Sequence, residues 1–383
     1  MRKATPSEKS GASILATFAL LSFSAMLSAQ IVENPAKPKA ANAGRVVVPE
    51  EILVISDEGT SAYYFKWPAE LRIGPNGSLL VTDDGQILQF DANGRLLRNL
   101  FKKGQGPGEM EDPGPCVATE KEFIAFPWGG AKKLVVFDAS GKFVREVPVH
   151  EEDRTFLTFL HYLDGTAYFE AGGFPRTTGD PDFVDNPRTI TAISGPGGAV
   201  KKLTTFITRA WAVTAGGSSG MFDVCRLNAV PFEGRLLALT HTEEYLIKIY
   251  DSAADKVLRQ FRRPYARVKG EPLTEREKKG GLFLNGRHYS RPERKFENDV
   301  KNILTRNGEI WAVTSTRDKA RGVVIDVFDG EGVYRDCFWL KLPEPALGSI
   351  LSPGQCALDG EFLWVVERAE DETLAIKKYR VVI

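Results

Sequence analysis

The sequence repeats one arrangement of strands and turns six times, and this repetition constrains the fold more than any other feature. In each copy, apolar and polar residues alternate, a turn follows, and the alternation resumes. This arrangement is typical of a β-hairpin, because period-two alternation gives a strand one buried and one exposed face. The copies lie at residues 87–97, 134–144, 191–200, 247–258, 325–334 and 376–383.

The spacing of the hairpins indicates the fold that they build. An apolar landmark marks each of them: Phe90, Phe137, Ile193, Tyr250, Phe328 and Tyr379, which are 47, 56, 57, 78 and 51 residues apart. A turn and a short apolar strand precede each hairpin, and a further strand can be placed before each turn. Four-stranded units at a period of about fifty residues are typical of a β-propeller. We therefore predict an all-β fold, a six-bladed β-propeller with four-stranded antiparallel blades.

The sixth unit ends after three strands, which leaves one blade incomplete. Residues 45–55 (Arg-Val-Val-Val-Pro-Glu-Glu-Ile-Leu-Val-Ile) form a spare strand near the N-terminus. This strand can pair beside the last strand of the chain and close the ring, which protects sheet edges. We expect the propeller domain to span residues 45–383.

The first residues have the composition of an export signal. Arg2, Lys3 and Lys9 precede an apolar stretch at residues 14–27, and the small residues Ser28 and Ala29 follow. We predict a signal peptide at residues 1–29 and a flexible linker at residues 30–44, which is rich in Ala, Pro, Asn and Lys. The expected location is periplasmic or extracellular. A retained membrane anchor is the alternative, although the apolar run is short for a bilayer span.

Composition argues against one class of partner, and the cysteine content raises the question of disulfide bonds. Lys plus Arg total 50 and Asp plus Glu total 50, so the net charge of zero argues against a nucleic-acid-binding domain. We expect a monomer with no membrane span after signal cleavage. The four cysteines, Cys116, Cys225, Cys337 and Cys356, could form two disulfides after export. We favour small buried thiols, because a chain of this length needs no covalent crosslink.

The loop at residues 104–109, Gly-Gln-Gly-Pro-Gly-Glu, follows the first hairpin. We interpret it as a structural turn in which Glu109 accepts main-chain N–H bonds, because it lacks the Lys-Ser/Thr ending of a phosphate loop. Together with the hairpins, it resembles the exported bacterial six-bladed propellers related to NHL repeats and to TolB-like propellers. The resemblance covers residues 45–383. It implies the fold and implies little about activity, because one fold hosts many functions.

Long connections in the repeats are expected to cluster on one face of the disc. They are residues 102–113, 170–188, 208–221, 262–298 and 342–353. The fourth carries eleven Lys or Arg and five Glu, and a solvated basic cap is its alternative interpretation. Aromatic and cationic side chains on these connections could bind a protein, peptide or glycan. The candidate ligand-binding residues are Trp67, Trp128, Arg176, Arg209, Trp211, Arg287, His288 and Tyr289.

Enzymatic signals are weaker. The four histidines have no zinc-ligand spacing, and no Gly-x-Ser-x-Gly motif occurs. Some six-bladed lactonases hold calcium in the channel, and Glu70, Asp223, Asn228 and Asn302 could approximate such a set. We therefore expect a non-catalytic binding propeller without a cofactor. The alternatives are a calcium-dependent hydrolase or lactonase with its site in the channel, and a module for assembly alone.

Overall fold

A computed structural model describes residues 30–129, 132–150, 156–369 and 371–383. The predicted signal peptide lies outside these residues. Within the described ranges, no helix is both long and apolar enough to span a bilayer. The chain begins with three short strands, β1 (Ile31–Glu33), β2 (Arg45–Val47) and β3 (Glu50–Ser56). They form no sheet of their own, and each joins a different blade.

Three blades follow in chain order, and each is an antiparallel sheet. Blade 1 consists of β4 (Ala69–Ile73), β5 (Leu79–Asp83), β6 (Gln86–Phe90) and β7 (Leu96–Asn99). Blade 2 consists of β8 (Cys116–Ala118), β9 (Glu122–Ala125), β10 (Lys133–Asp138) and β11 (Phe143–Pro148). Blade 3 has five strands, β12 (Phe156–Leu163), β13 (Thr166–Gly172), β14 (Asp182–Ser194), β15 (Ala199–Ala215) and β16 (Ser218–Cys225).

The second half contains three blades and one inserted hairpin. Blade 4 consists of β17 (Asn228–Phe232), β18 (Leu236–Thr240), β19 (Ile247–Asp251) and β20 (Lys256–Arg262). The insertion contains α1 (Glu275–Lys279), β21 (Gly281–Leu284) and β22 (Arg287–Ser290). Blade 5 consists of β23 (Val300–Arg306), β24 (Glu309–Asp318), β25 (Gly322–Asp329) and β26 (Tyr334–Leu340). After α2 (Glu344–Ile350), blade 6 contains β27 (Cys356–Asp359), β28 (Phe362–Arg368) and β29 (Leu374–Arg380).

The N-terminal strand closes the ring, which confirms the predicted closure. β3 pairs antiparallel with β29 from Ala375 opposite Ser56 to Arg380 opposite Glu50, and so supplies the missing strand of blade 6. The prediction placed this strand at residues 45–55, whereas residues 45–47 pair instead with β26 of blade 5. Hydrophobic packing follows the pairing, because Ile55 lies with Trp364 and Phe90 in the core between blades 6 and 1.

The segment before the closing strand follows the outer rim of two further blades. β1 pairs in parallel with β20 of blade 4, so the flexible linker predicted at residues 30–44 does not hold for Ile31–Glu33. The Asn34 side chain is buried between blades 4 and 5, where its amide nitrogen donates to the Gly332 carbonyl at 2.9 Å. Its amide oxygen accepts from the Tyr334 main chain at 2.8 Å. The N-terminal segment therefore ties three consecutive blades together.

Apolar seams between neighbouring blades form the core. All six landmark side chains are buried, from Phe90 to Tyr379. Cys116, Cys225 and Cys356 are buried and Cys337 is partly buried, and all four are free thiols, as we favoured from the sequence. The loop at residues 104–109 also has its predicted structural role, because the Glu109 carboxylate accepts from the Gly106 N–H at 3.0 Å.

A buried ion pair joins blades 4 and 5 next to the tyrosine rings of their apolar seam. The Asp326 carboxylate is inaccessible to solvent and accepts from the Arg263 guanidinium at 2.6 and 2.8 Å. It also accepts from the hydroxyls of Tyr245 and Tyr334 at 2.8 and 2.6 Å. The Arg263 guanidinium lies against the rings of these two tyrosines and of Tyr265. Complete pairing offsets the desolvation of a charge that would otherwise be very costly to bury.

The strand directions define two faces of the disc. We call the connection face the one that carries the segments from each outer strand to the next inner strand and from each second strand to the third. The turn face carries the tight turns between first and second strands and between third and fourth strands. The connections at residues 102–113 and 262–298 lie on the connection face as predicted. Residues 208–221 are no loop, because they belong to the hairpin of β15 and β16.

We expect ring closure to contribute more to stability than the rim strands. A mature chain that begins at residue 49 loses β1, Asn34 and β2, and its thermal unfolding midpoint should fall by several degrees. A chain that begins at residue 57 also loses β3 and exposes the edge of β29, so it should lose its single cooperative transition. Calorimetry of the two truncations against the chain from residue 30 tests this. Equal midpoints for the two truncations would contradict the role of β3.

Candidate functional site

A central cavity of about 450 Å³ runs along the axis of the propeller. The innermost strands of all six blades, β4, β8, β12, β17, β23 and β27, contribute to its wall. Inner strands surround the axis in any propeller, so residues far apart in the sequence meet here. The polar wall residues include Glu70, Arg72, His161, Asn228 and Asn302. This volume lies within the range of small-molecule sites.

Arg72 spans the cavity from blade 1 to blade 3. Its guanidinium donates to the main-chain carbonyls of Phe159 and Leu160, each at 2.9 Å, and to the Glu70 carboxylate at 3.2 Å. Glu70 has a left-handed backbone with φ of 50° at an irregularity in the pairing of β4 with β5. The strand irregularity therefore lets Glu70 and Arg72 pair within one strand. Arg72 acts mainly as a tie between blades.

Two asparagines of the cavity wall bind each other, whereas the buried Nε2 of His161 has no hydrogen-bond partner. The Asn228 amide nitrogen donates to the Asn302 Oδ1 at 3.1 Å, and Asn302 Nδ2 donates to the Ile350 carbonyl at 3.0 Å. Burial and the nearby Arg72 cation lower the pKa of His161 to about 4, so its ring is neutral at physiological pH. The His161 ring stacks on Tyr168 with 6.1 Å between ring centroids. Among the polar wall residues named above, only Glu70 and Arg72 are charged, and they pair with each other.

The four residues proposed as an alternative calcium set do not fit calcium in this arrangement. Glu70, Asn228 and Asn302 line the cavity, but Asp223 does not. Asn302 Oδ1 already accepts from the Ile303 N–H at 2.9 Å as well as from Asn228, and the Arg72 cation lies on Glu70. Calcium requires several oxygens free to converge on it. Among the described residues, no group of three or more His, Cys, Asp or Glu side chains is placed to hold a metal.

Asp223 belongs instead to a charged cluster one strand outside the cavity wall. Arg188 lies between two carboxylates, with its Nε 3.4 Å from Glu170 and its Nη2 3.5 Å from Asp223. Arg226 contacts the other oxygen of Asp223 at 2.8 Å. Glu170 is opposite the cavity residue Thr158 in the pairing of β13 with β12. Burial raises the pKa of Glu170 to about 7; Arg188 opposes this shift and Asp223 adds to it.

A raised wall stands on the connection face above blades 3 and 4. β14 and β15 extend beyond the end of β13, and β16 pairs with the extended part of β15. The inserted hairpin of β21 and β22 packs against this extension through a separate apolar core of Trp211, Val213, Val224 and Tyr289. The cores between blades contain none of these four residues. The basic insertion is therefore a docked element with a core of its own.

Three predicted binding residues belong to the support of this wall. Trp211 and Tyr289 are buried, with 8% and 9% of their surface exposed, so neither ring is presented at the surface of the connection face. Their apolar rings fill the core of the wall. His288 is partly buried, its Nε2 is inaccessible to solvent, and its ring lies 4.7 Å from that of Phe283. The sequence placed His288 and Tyr289 on a long basic connection and Trp211 on another, and it did not show that the two segments pack together.

The other five predicted residues are exposed on the connection face. Trp67 is 62% exposed beneath the Arg368 guanidinium, and Trp128 is 57% exposed. Arg176 is exposed in the connection from β13 to β14. Arg209 lies over the Phe183 ring and 4.0 Å from Glu243, and Arg287 lies over the Tyr289 ring. These five residues are placed where a partner can reach them.

The exposed aromatic side chains share one face of the disc. Among the described residues they are Tyr64, Trp67, Trp128, Phe156, Phe174, Phe183 and Phe283. All seven lie in connections of the connection face or at strand ends that adjoin it, and the turn face has none. The sequence analysis missed five of them because exposure depends on how far a connection stands above the blades. Phe156 and Phe174 touch each other edge to face, with ring centroids 4.8 Å apart.

Comparison with known proteins identifies the fold. No protein-family model matches the chain, and no curated protein matches it. The chain is similar to the crystal structure of a protein from Bacteroides fragilis predicted to be exported, with 10% identity, a TM-score of 0.52, and coverage of 92% of this chain and 100% of that chain. A gluconolactonase from Xanthomonas campestris gives 13% identity, a TM-score of 0.41, and coverage of 89% and 98%. At these identities the likeness shows a β-propeller fold and no activity.

We expect Glu170 to make stability depend on pH. Its pKa is about 7 in the folded protein against an ordinary value of 4.5, so the folded state binds this proton more tightly. The free energy of unfolding should therefore fall by up to about 3 kcal/mol as the pH rises from about 4.5 to 7. Urea denaturation at both ends of this range should show the fall in the wild type and a much smaller fall in Glu170→Gln.

The control for this measurement is Glu120→Gln, which changes an exposed carboxylate on the turn face. This variant should keep the pH dependence of the wild type. A Glu170→Gln protein with the unchanged wild-type dependence would show that another group is responsible.

Two neighbouring residues of β22 should respond differently to alanine. Tyr289→Ala removes a buried ring from the core of the wall and should lower the free energy of unfolding by about 3 kcal/mol. Arg287→Ala removes an exposed side chain and should change it by about 0.5 kcal/mol or less. Chemical denaturation compares the two variants. A tolerated Tyr289→Ala would mean that the wall needs no core of its own.

Proposed function

We propose that this protein is an exported, non-catalytic binding propeller whose connection face holds a partner of protein, peptide or glycan class. The confinement of the seven exposed aromatic side chains to that face supports the proposal most directly. Large exposed apolar side chains do not stabilise an isolated propeller, and clusters of them mark interaction sites. Trp, Tyr and Arg are also the residues that most often dominate binding energy at protein interfaces.

The rigidity of the support agrees with a binding role. Closure by β3, the cross-cavity tie of Arg72 and the buried Arg263–Asp326 pair hold the blades in fixed positions. Side chains on the connections then keep their relative geometry before a partner arrives. Such preorganisation reduces the entropy lost on binding.

The basic first residues and apolar stretch of the sequence support export. Their cleavage after Ala29 would leave Gln30 as the first residue, directly before β1. The B. fragilis protein of similar fold is also described as exported. We therefore propose that the partner belongs to the cell envelope or its surroundings.

The test compares two triple variants that each replace three exposed apolar side chains by serine. Trp67→Ser, Trp128→Ser and Phe174→Ser together remove exposed rings from the connection face. Leu97→Ser, Val144→Ser and Val382→Ser remove exposed apolar groups elsewhere and serve as the control. Immobilised wild type and variants are incubated with envelope extract of the source organism, and bound species are quantified by mass spectrometry. We expect the control to retain the species that wild type retains, and the connection-face variant to lose them at least tenfold.

Both triple variants should unfold near the wild-type midpoint, because the substituted side chains are exposed. Equal retention by the two variants would contradict the proposal and leave assembly through another surface as the better interpretation.

A further inference from the structure

The charges of the insertion at residues 262–298 divide into a paired set and an unpaired set. Five cations have carboxylate partners: Arg262 with Glu33, Arg263 with Asp326, Arg267 with Asp299, Lys278 with Glu275, and Arg291 with Glu277. Arg294 donates instead to the Asp223 main-chain carbonyl at 2.5 Å. Five exposed cations have no carboxylate partner among the described residues: Lys269, Arg276, Lys279, Arg287 and Lys295.

The acidic residues of the insertion do not offset the unpaired set. Glu271 pairs with Arg317, and Glu297 pairs with Lys301. Glu275 and Glu277 pair as described above, so Glu293 alone among the insertion's acids has no cationic partner in the described residues. An excess positive charge therefore remains at the surface. The whole protein has no net charge, yet this one insertion carries five exposed cations without carboxylate partners among the described residues.

The same insertion also carries the most exposed aromatic ring of the described chain. We call residues 275–291, which comprise α1, β21 and β22, the basic hairpin. Phe283 on β21 is 73% exposed. Arg276 and Lys279 lie on α1. Arg287 lies on β22 opposite Leu284, so its side chain leaves the face of the hairpin opposite to that of Phe283. One short element thus exposes an aromatic ring and three cations at its surface.

The basic hairpin is held firmly in place. Its apolar side packs on Trp211 and Val213, and α1 is fixed by a capping box between Thr274 and Glu277. Close backbone approach reinforces the docking, because a Cβ added at Gly220 would lie 2.9 Å from the Leu282 side chain. A separate apolar core thus holds the basic hairpin in place, with the Phe283 side chain exposed.

We propose that the basic hairpin docks an acidic polypeptide segment that carries an apolar side chain. This inference rests on the proposed binding function of the connection face and adds the chemical class of the partner. The unpaired cations would meet carboxylates, and Phe283 would meet the apolar side chain. Aromatic and Arg contacts of this kind dominate protein interfaces, whereas charge complementarity sets orientation and association rate.

The mixture of charges favours a polypeptide over a sulfated glycan or an anionic membrane. Four Glu side chains, Glu271, Glu275, Glu277 and Glu293, are interspersed with the cations. A surface for polyanions or lipid headgroups gains from dense positive charge without carboxylates. A surface of a few cations, a few acids and one exposed ring matches a folded or extended protein segment better.

The experiment measures binding by fluorescence anisotropy with a labelled, glutamate-rich synthetic peptide that contains two phenylalanines. One variant of the full mature chain carries Arg276→Glu, Lys279→Glu and Arg287→Glu. The matched control carries Lys121→Glu, Lys142→Glu and Lys256→Glu, which reverse three exposed cations of the turn face. Both variants have the same net charge, so a general effect of charge on the peptide is removed. Unfolding midpoints confirm that all proteins are folded.

We expect the wild type and the turn-face control to bind the peptide alike, and the hairpin variant to bind at least tenfold more weakly. Raising the salt concentration should weaken wild-type binding, since exposed charges are screened. Phe283→Ser, or a peptide with serine in place of phenylalanine, should weaken binding several-fold. Failure of the wild type to bind, or equal affinity of the two charge variants, would overturn the proposal.

Two further probes separate the class of partner from the proposed function. A heparin oligosaccharide or phosphatidylglycerol vesicles that bind more tightly than the peptide, and lose affinity only in the hairpin variant, would overturn the polypeptide assignment. The connection face would still be a binding surface in that case. Conversely, the serine variants of Trp67, Trp128 and Phe174 leave the basic hairpin intact. Their result therefore tests the proposed binding function of the connection face independently of the acidic partner proposed for the basic hairpin.

Discussion

The pairing of β3 with β29 is the constraint on which the rest of the structure depends. Propeller blades pack mainly on their two neighbours, so an incomplete last blade leaves an open sheet edge and weakens the seam that joins the two ends of the ring. β3 supplies the fourth strand of blade 6 and places Ile55 in the seam with blade 1. β1 and β2 then extend the same segment along blades 4 and 5. One N-terminal segment thus holds half of the ring together.

Closure also determines what the interior can do. Six inner strands meet around one cavity, and the polar residues among them mostly bind each other. Arg72 donates to carbonyls of blade 3, and Asn228 and Asn302 form a hydrogen bond between blades 4 and 5. These contacts resist the outward movement of blades, and they occupy the oxygens that a metal would need. The axis of this propeller is better suited to rigidity than to calcium chemistry.

Surface chemistry is distributed very unevenly over this rigid disc. Tight turns occupy one face, while the exposed aromatic rings, the raised wall and the unpaired cations of the insertion occupy the other. The wall has its own apolar core, and Trp211 and Tyr289 belong to it. Such a core allows an insertion to project from the disc without becoming disordered. The basic hairpin therefore extends the connection face, which we propose as the binding surface.

The sequence by itself determined the six-fold repeat, the incomplete last blade and the spare N-terminal strand, because strand alternation and turn residues act locally. It also determined the structural role of the loop at residues 104–109. Only the tertiary structure decided which connection residues face outward. Trp211 and Phe283 are both aromatic residues on long connections of the sequence, yet the hairpin of β21 and β22 covers Trp211, whereas Phe283 on that hairpin stays exposed. Likewise Asp223 pairs with Arg188 outside the cavity, because the register of five strands, not local pattern, fixes where a side chain points.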